Sequence, residues 1–229
     1  KSMTDALSKR LDTIEKFAAD VAHELKNPLT SLRSAVETVG IVKSEDDRQR
    51  LLSVILHDVD RLDRLITDIS KSSRLDAELS REEMDTFCMR GMLEDICSHY
   101  GAEVSLPFGD AICIKGVESR MGQVFDNLLS NAKSFSNHIS VNVEKQGENW
   151  HLTFKDHGPG IPEGKLETIF DRFYTERPKG ESFGNNSGLG LAICKQIIDA
   201  HEGEIFAENC YDELGKKSGA CFTIILKAV

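Results

Sequence analysis

The chain has little positive charge and no long hydrophobic run. Its 28 lysine and arginine residues are outnumbered by 38 aspartate and glutamate residues, which gives a formal net charge of −10. A nucleic-acid-binding protein normally presents a basic face, so this balance argues against a nucleic-acid partner. A membrane-spanning helix needs roughly 18 or more consecutive apolar residues. The sequence contains no such run.

Cysteine patterns typical of metal sites are also missing. The sequence has six cysteines, with no C-x-x-C pair and no histidines at metal-ligand spacing. Three of them fall inside apolar helix or strand patterns, which is typical of reduced core cysteines in a cytosolic protein. We therefore expect all six to be reduced: Cys88, Cys97, Cys113, Cys194, Cys210 and Cys221.

The length allows one large domain or two modest ones, since 229 residues can bury a substantial core. With 40% hydrophobic and 29% charged residues, the composition is that of a soluble globular protein. The chain opens on Lys1-Ser2-Met3, an unusual start for a complete gene product. We expect a piece of a longer protein, whose other part could hold membrane segments.

Apolar residues in the first half recur in two stretches, at alternating steps of three and four. This heptad spacing predicts two long helices, each with a one-sided apolar stripe. Ser44 and the acids after it suit the start of the second helix, so the two helices form an antiparallel hairpin. A single hairpin leaves apolar surface open, and we predict a homodimer in which two hairpins form a four-helix bundle. The stripe positions are Leu7, Leu11, Ile14, Ala18, Val21, Leu25, Leu29, Leu32, Val36 and Val39, then Leu52, Ile55, Val59, Leu62, Ile66 and Ile69.

The second half has a different pattern. From Ser72 to Glu83 the heptad spacing fades into a polar stretch. Beyond it, strands and helices are mixed without strict βαβ order, which indicates an α+β sandwich with helices on one face of a mixed sheet. The predicted domains are the hairpin at 1–75, a linker at 76–83 and the α+β domain at 84–229. The predicted elements of that domain are strands near 111–115, 139–146, 150–156, 204–208 and 220–226 and helices at 120–135 and 187–201.

His23 lies on the outer face of the first predicted helix, opposite the apolar stripe, and Asn27 shares that face. Glu24 is adjacent, and Pro28 removes a helical hydrogen bond and predicts a bend. A neutral imidazole is a good nucleophile near pH 7, and a neighbouring acid can fix its tautomer or accept its proton. His23 is therefore a candidate for chemistry.

His57 is a second candidate on the same grounds. It lies between stripe positions of the second helix, and Asp58 follows it. Spacing alone does not decide whether His23 or His57 is the reactive histidine.

Two amides and a carboxylate indicate a ligand site in the second half. Asn127 and Asn131 are four residues apart on one helix, and paired amides can ligate Mg²⁺ or a phosphate oxygen. Asp156 follows two inward-facing strand residues, and a carboxylate directed inward needs a donor, such as a ligand amino group. Gly158 and Gly160 come directly after it and allow the backbone a close approach.

Glycines also open the helix predicted at 187–201. Gly188 and Gly190 stand at its N-terminus, where backbone N–H groups are free to bind phosphate. A single G-x-G is weak by itself. The motif is stronger evidence here because it follows the paired amides and the glycine loop after Asp156.

These patterns, in this order, resemble the cytoplasmic core of a sensor histidine kinase, and the resemblance covers nearly the whole chain. It implies a phosphotransfer hairpin followed by an ATP-binding domain of the Bergerat type. The stretch FAADVAHELKNPLTSLRSAVET resembles, in finer detail, the ChvG/ExoS group of these kinases. The matching motifs are HELKNPL for the H box, Asn127 and Asn131 for the N box, DHGPG for the G1 box, IFDRFY for the F box and SGLGLAI for the G2 box.

The resemblance implies a role for each matching residue. His23 would be the phosphoacceptor, Glu24 its acid/base partner, and Asn27 the residue that orients water when a phosphorylated response regulator is dephosphorylated. Asn127 and Asn131 would hold Mg²⁺. The implied ATP-binding residues are Asn127, Asn131, Lys133, Asp156 (on the adenine amino group), Gly158, Gly160, Ile161, Phe170, Arg172, Gly188, Leu189, Gly190 and Leu191.

The sequence departs from the family pattern at two places. Many relatives have a lysine where Ser134 stands, and Lys133 comes one position earlier, so Arg172, Arg177 or Lys179 could share the contact with phosphate. Asn186 replaces a glycine that often opens the G2 box. It lies in the segment 175–187, which would form a mobile ATP lid.

The implied partners are a second copy of the chain and the receiver domain of a response regulator. The localisation implied is the cytoplasmic part of an inner-membrane sensor protein, held at the membrane only by a sensor region outside this chain. Transfer to His23 would require the nucleotide domain to swing on the stretch 72–83.

Two other functions use the same nucleotide fold. ATPases of the gyrase, heat-shock-90 and mismatch-repair type place a glutamate where Asn127 stands, as base for the attacking water. An amide cannot accept that proton, so the sequence favours phosphoryl transfer over hydrolysis. A non-catalytic dimeric scaffold that binds nucleotide is the third possibility, and intact His23 and Asp156 count against it.

Overall fold

A computed structural model describes residues 2–109, 111–174 and 188–229. It divides into two compact units, a helical one built from the chain up to Arg74 and a mixed one that begins at Leu75. None of the helices in the described part of the chain combines the length and the apolar character needed to span a bilayer.

The two predicted helices are α1 (Ser2–Val39) and α2 (Glu45–Leu79), and the helical unit contains both of them up to Arg74. Ser44 stands before α2, and the backbone N–H of Asp47 donates to its Oγ at 3.4 Å. Three acids in the first turn of α2 complement the helix dipole. The predicted start of the second helix is therefore confirmed.

The predicted stripe positions whose side chains the structure describes are half-buried or exposed within one chain, and none of them is buried. The buried apolar side chains of the two helices instead include Pro28, Ala35 and Leu65, each one residue before a stripe position. Five large apolar side chains of the stripe itself stay exposed. This exposed apolar row consists of Leu29, Val36, Leu52, Val59 and Ile66.

The chain stays helical through half of the linker predicted at 76–83, because α2 ends only at Leu79. Leu75 and Leu79 continue the i, i+4 apolar spacing, and Leu75 is buried. The domain boundaries themselves stay a prediction.

Arg120 holds this last turn of α2 in place within the mixed unit. Its guanidinium donates to Glu82 at 2.9 Å through Nε and to Glu78 at 2.8 Å through Nη2. The hydrogen bond from Arg120 lowers the pKa of Glu82. The segment 78–82 is therefore fixed to the mixed unit by charge-assisted hydrogen bonds.

We expect Arg120→Ala to lower the free energy of unfolding by about 1–2 kcal/mol at pH 7, since it removes hydrogen bonds to charged partners. Because the pKa of Glu82 is lowered in the folded state, its contribution is present above the pKa of the unfolded chain and is lost as the pH falls. Urea unfolding at pH 7 and pH 4 measures both effects. Lys227→Ala, at an exposed lysine of the same unit, is the control; an equal loss in both variants would contradict the prediction.

The mixed unit is an α+β sandwich, as predicted. Its elements are β1 (Asp85–Cys88), α3 (Arg90–Tyr100), β2 (Glu103–Ser105), β3 (Cys113–Gly116), α4 (Glu118–Phe135), β4 (Ile139–Gln146), β5 (Asn149–Asp156), a 3-10 turn (Thr168–Phe170), α5 (Gly190–Ala200), β6 (Glu204–Tyr211) and β7 (Lys217–Lys227). The five-stranded sheet has the order β2-β4-β5-β7-β6, in which β2 and β4 are parallel and the other pairs antiparallel. A separate two-stranded sheet pairs β1 with β3.

The core of this unit lies between the helices and one face of the sheet. Alternate residues of β5, such as Leu152 and Phe154, are buried, as is the apolar face of α4. The rings of Phe125 on α4 and Phe154 on β5 stack with centroids 5.8 Å apart. This packing fixes α4 and the end of β5, the two elements that bear the predicted amides and Asp156.

The expectation of six reduced cysteines is wrong for two of them. β1 and β3 place Cys88 directly opposite Cys113, and a disulfide joins the two residues. Their separation of 25 residues gives no sequence signal for this pairing. Cys97 and Cys194 are buried free thiols, and burial raises the pKa of Cys97 to about 11 and that of Cys194 to about 12.

Candidate functional site

His23 projects from α1 into solvent. Its side chain is 75% exposed, whereas that of His57 on α2 is 34% exposed. A group that must meet a large phosphate donor needs this accessibility. The structure therefore favours His23 over His57, which spacing could not do.

An open polar depression surrounds His23 on α1. Asn27 is exposed in it, one turn after the histidine. Pro28 is buried, and α1 continues through it to Val39. The depression is lined by His23, Lys26, Asn27, Thr30, Ser31 and Ser34.

Glu24 is the acid predicted beside the phosphoacceptor. Its Oε1 lies 3.8 Å from His23 Nδ1, and its Oε2 lies 3.5 Å from Nη2 of Arg61 on α2. Its side chain is 16% exposed, so the carboxylate sits at the edge of the hairpin interior. Sequence reasoning did not identify Arg61, because nothing local marks which residue of α2 faces Glu24.

Asp156 ends β5 as a buried carboxylate. Its Oδ1 accepts hydrogen bonds from the backbone N–H of Gly158 at 2.8 Å and of Ala220 at 3.1 Å. No hydrogen bond from any described residue reaches Oδ2. That oxygen is the acceptor left for a ligand amino group, as the resemblance implies.

The backbone around Asp156 is too close for side chains. At Gly158, a Cβ would lie 3.0 Å from both Asp156 Oδ1 and Phe135 Cβ. At Gly219 on β7, a Cβ would lie 1.8 Å from the carbonyl oxygen of Asp156. Sequence reasoning missed Gly219, although a glycine inside a strand pattern is a known signal of close backbone approach.

The loop after Asp156 is held by two residues from the neighbouring strands. Asn209 on β6 accepts from the N–H of Ile161 at 2.6 Å and donates to its carbonyl at 2.8 Å. Lys217 on β7 donates to the same carbonyl at 2.9 Å. Gly160 adopts a left-handed φ of 75°. Asn209 and Lys217 were also missed, because only the strand register brings them here.

The predicted amide helix meets the predicted glycine helix. Asn127 Nδ2 on α4 donates to the carbonyl of Gly190 at 3.4 Å, where α5 begins. The first N–H groups of a helix lack intrahelical acceptors and attract phosphate. The structure therefore brings the N-box and G2-box residues together.

The other predicted residues are placed as follows. Asn131 is half-buried one turn after Asn127, and Lys133 is exposed in the last turn of α4. Phe170 packs its ring against Phe222 of β7 with centroids 6.3 Å apart, which is a core contact. Arg172, Gly188, Gly190 and Leu191 are half-buried, while Leu189 and Ile161 are buried. Arg177, Lys179, Asn186 and the predicted lid at 175–187 lie outside the described residues.

These residues fit a nucleotide. A free carboxylate oxygen, a glycine loop without room for side chains and an open helix N-terminus are the groups that adenine and phosphates need. No cluster of three or more histidine, cysteine, aspartate or glutamate side chains among the described residues could hold a metal ion. Amide oxygens of Asn127 and Asn131 are a different donor set, suited to Mg²⁺ when phosphates complete its coordination.

The chain matches two protein families. Residues 13–78 match the His Kinase A (phospho-acceptor) domain, and residues 116–229 match the histidine kinase-, DNA gyrase B-, and HSP90-like ATPase family. A phospho-acceptor domain in front of the nucleotide domain distinguishes the chain from ATPases of the gyrase type.

Several curated relatives are similar over most of the chain. The sensor protein ChvG of Agrobacterium fabrum is 46% identical and that of Rhizobium meliloti 45% identical, each over 100% of the chain. The sensor histidine kinase WalK of Bacillus subtilis is 32% identical over 93% of the chain. The chain spans 41%, 43% and 36% of these three proteins, respectively.

Solved structures share the fold. The Acinetobacter baumannii histidine kinase AdeS has a TM-score of 0.64 at 24% identity, covering 90% of this chain and 98% of that one. Histidine kinase ThkA, solved in complex with response regulator protein TrrA, has a TM-score of 0.68 at 23% identity, covering 96% of this chain and 64% of that one. The two matching domains and the curated relatives place the chain in the family of sensor histidine kinases.

Proposed function

We propose that this chain binds Mg-ATP, phosphorylates itself on His23 and passes the phosphoryl group to an aspartate of a response regulator receiver domain. The observation that carries the proposal is the exposed imidazole of His23, with the Glu24 carboxylate facing Nδ1, inside a phospho-acceptor domain.

The contact with Glu24 selects the attacking nitrogen. A carboxylate beside Nδ1 favours the tautomer with its proton on Nδ1, which leaves the lone pair of Nε2 free. Nε2 attacks the γ-phosphorus, the new bond is N–P, and the bond from the γ-phosphorus to its bridging oxygen breaks as ADP leaves. In this proposal Glu24 stabilises the positive charge that develops on the imidazole.

The mixed unit holds the phosphate donor. Asp156 Oδ2 accepts from the adenine amino group, the loop of Gly158 and Gly160 lies against the base, and the N-terminus of α5 binds phosphate. Mg²⁺ bound near Asn127 and Asn131 supplies charge neutralisation for the phosphates. Asn127, an amide, supports transfer to His23 over hydrolysis.

The same surface of α1 suits the reverse reaction. Asn27 is exposed in the polar depression one turn after His23. A receiver domain docked on this depression would bring its aspartyl phosphate to both side chains. Asn27 then orients the water that hydrolyses the aspartyl phosphate.

The exposed apolar row on α1 and α2 supports a homodimer. Five apolar side chains on one face of a hairpin are costly to leave in water, and a second hairpin covers them in a four-helix bundle. We place this core in the cytoplasm, as part of an inner-membrane sensor protein whose sensory and membrane regions lie outside the chain.

A charge placed in this row should separate the two copies. Ile66 is 55% exposed in the single chain, and we expect Ile66→Glu to raise the dimer dissociation constant at least about 100-fold, because each copy buries a carboxylate. Analytical ultracentrifugation measures the dissociation constant. Leu214→Glu, at a side chain 93% exposed in the mixed unit, is the control. A dimer as stable in Ile66→Glu as in Leu214→Glu would place the interface elsewhere.

Incubation with γ-labelled ATP and Mg²⁺ tests the proposed activity. We expect protein label that is labile in acid and stable in base, as phosphohistidine is, and that a receiver domain then removes. Free phosphate without protein label would instead indicate an ATPase. ATP binding with neither product would indicate a scaffold.

A further inference from the structure

Arg61 of α2 contacts Glu24, the acid beside the proposed phosphoacceptor His23. The two oxygens of the Glu24 carboxylate have different neighbours, His23 Nδ1 at 3.8 Å from Oε1 and Arg61 Nη2 at 3.5 Å from Oε2. One carboxylate thus connects the imidazole on α1 with a guanidinium on the other helix.

The pair is shielded from solvent. The side chain of Arg61 is 9% exposed and that of Glu24 is 16% exposed. A guanidinium stays protonated at any relevant pH, and a buried charge needs an opposite charge nearby. Solvent screens this pair far less than it screens surface ion pairs, so Arg61 constrains where the Glu24 carboxylate lies.

The other charged groups around the pair make this constraint more important. Asp58 lies one turn before Arg61 on α2, is fully buried, and has no hydrogen-bond partner among the described residues for either oxygen. His57 lies 3.9 Å from Asp58. Without Arg61, the Glu24 carboxylate would lose the cation that faces its Oε2, and Asp58 would remain as a second buried carboxylate on α2. The Glu24 side chain would then be free to rotate towards water.

We propose that Arg61 is a positioning residue for phosphoryl transfer, which holds the ionised Glu24 carboxylate against His23 Nδ1. This rests on the proposed function of His23. Arg61 touches neither ATP nor the reacting nitrogen; it acts through Glu24, which keeps the proton on Nδ1 and the lone pair on Nε2.

Three variants test the proposal. Arg61→Met keeps the length of the side chain and removes its charge, and Arg61→Lys restores a cation. Arg64→Met changes a half-buried arginine of the same helix, which donates to the backbone carbonyl of Asp60, and serves as the matched control. Circular dichroism establishes that each variant keeps its helices.

We expect Arg61→Met to change the autophosphorylation rate and to leave the binding of ATP unchanged. Arg61→Met lowers the autophosphorylation rate about 10- to 100-fold, as loss of an oriented acid/base group does. The KM for ATP stays unchanged, because ATP is bound by the other unit. Nitrogen chemical shifts of the His23 ring in Arg61→Met show a mixture of tautomers, Arg61→Lys recovers part of the rate, and Arg64→Met behaves as wild type.

A double variant separates action through Glu24 from any other action. In the Glu24→Gln background, Arg61→Met should cause no further loss of rate, because the group it positions is gone. A full additional loss in that background, or an unchanged His23 tautomer in Arg61→Met, would overturn the positioning role. Failure of the wild-type protein to label at all would instead overturn the proposed function.

Discussion

Replacing His23 by alanine will abolish phosphohistidine while leaving ATP binding intact. The variant loses the only imidazole that the described part of the phospho-acceptor domain exposes by as much as three quarters. Without the nucleophile the transfer step has no acceptor, and we expect acid-labile label to fall at least about 1,000-fold. Radiolabelling measures the loss, and calorimetric titration with a non-hydrolysable ATP analogue measures the retained affinity.

His57→Ala is the matched control for this result. His57 also has an acid next to it, with Nδ1 3.9 Å from Asp58, but its side chain is only 34% exposed. We expect the His57→Ala variant to incorporate as much phosphate label as the wild-type protein. Label that survives in His23→Ala and disappears in His57→Ala would move the phosphoacceptor to α2.

Replacing Asp156 by asparagine will cost about 100-fold in ATP affinity with little change in fold. The amide oxygen can still accept the hydrogen bonds that Gly158 and Ala220 now give to Oδ1. Its NH₂ group takes the position of Oδ2 and puts a donor against the adenine amino group. A buried donor without an acceptor costs roughly 1–3 kcal/mol, and the lost hydrogen bond adds to it.

Inosine triphosphate makes this prediction specific. It has a carbonyl oxygen where adenine has its amino group, so it should bind Asp156→Asn more tightly than ATP does, with the wild-type preference reversed. Asp199→Asn, at an exposed aspartate on α5, should keep the wild-type preference. Equal losses for both nucleotides in Asp156→Asn would show that Asp156 supports the loop without contacting the base.

The parts of the fold that follow from local patterns could be predicted from the sequence. Heptad spacing predicted both helices of the hairpin, because apolar residues at alternating steps of three and four share one face only when the chain is helical. Alternation predicted β4 and β5, and Asp156 was expected inward from its place in that alternation. The contact between Asn127 and Gly190 was not predicted, although the family resemblance implied that both residues bind the nucleotide.

Features that depend on register across the chain could not be predicted. Asn209 and Gly219 reach the Asp156 loop because β6 and β7 are paired in one particular register. The disulfide between Cys88 and Cys113 has the same origin. Arg61 faces Glu24 because of the rotation of α2 about its own axis, and heptad spacing leaves that rotation open within one hairpin.

The ion pairs of Arg120 determine which part of the chain can act as a hinge. Glu78 and Glu82 accept hydrogen bonds from Arg120 on α4, the helix that also bears Asn127. The last turn of α2 and α4 are therefore held together. Hydrogen bonds thus connect that turn directly to the helix that bears the N-box amides. If the proposed transfer to His23 requires the mixed unit to swing, the chain would therefore have to bend before Glu78, within α2, at the expense of helical hydrogen bonds.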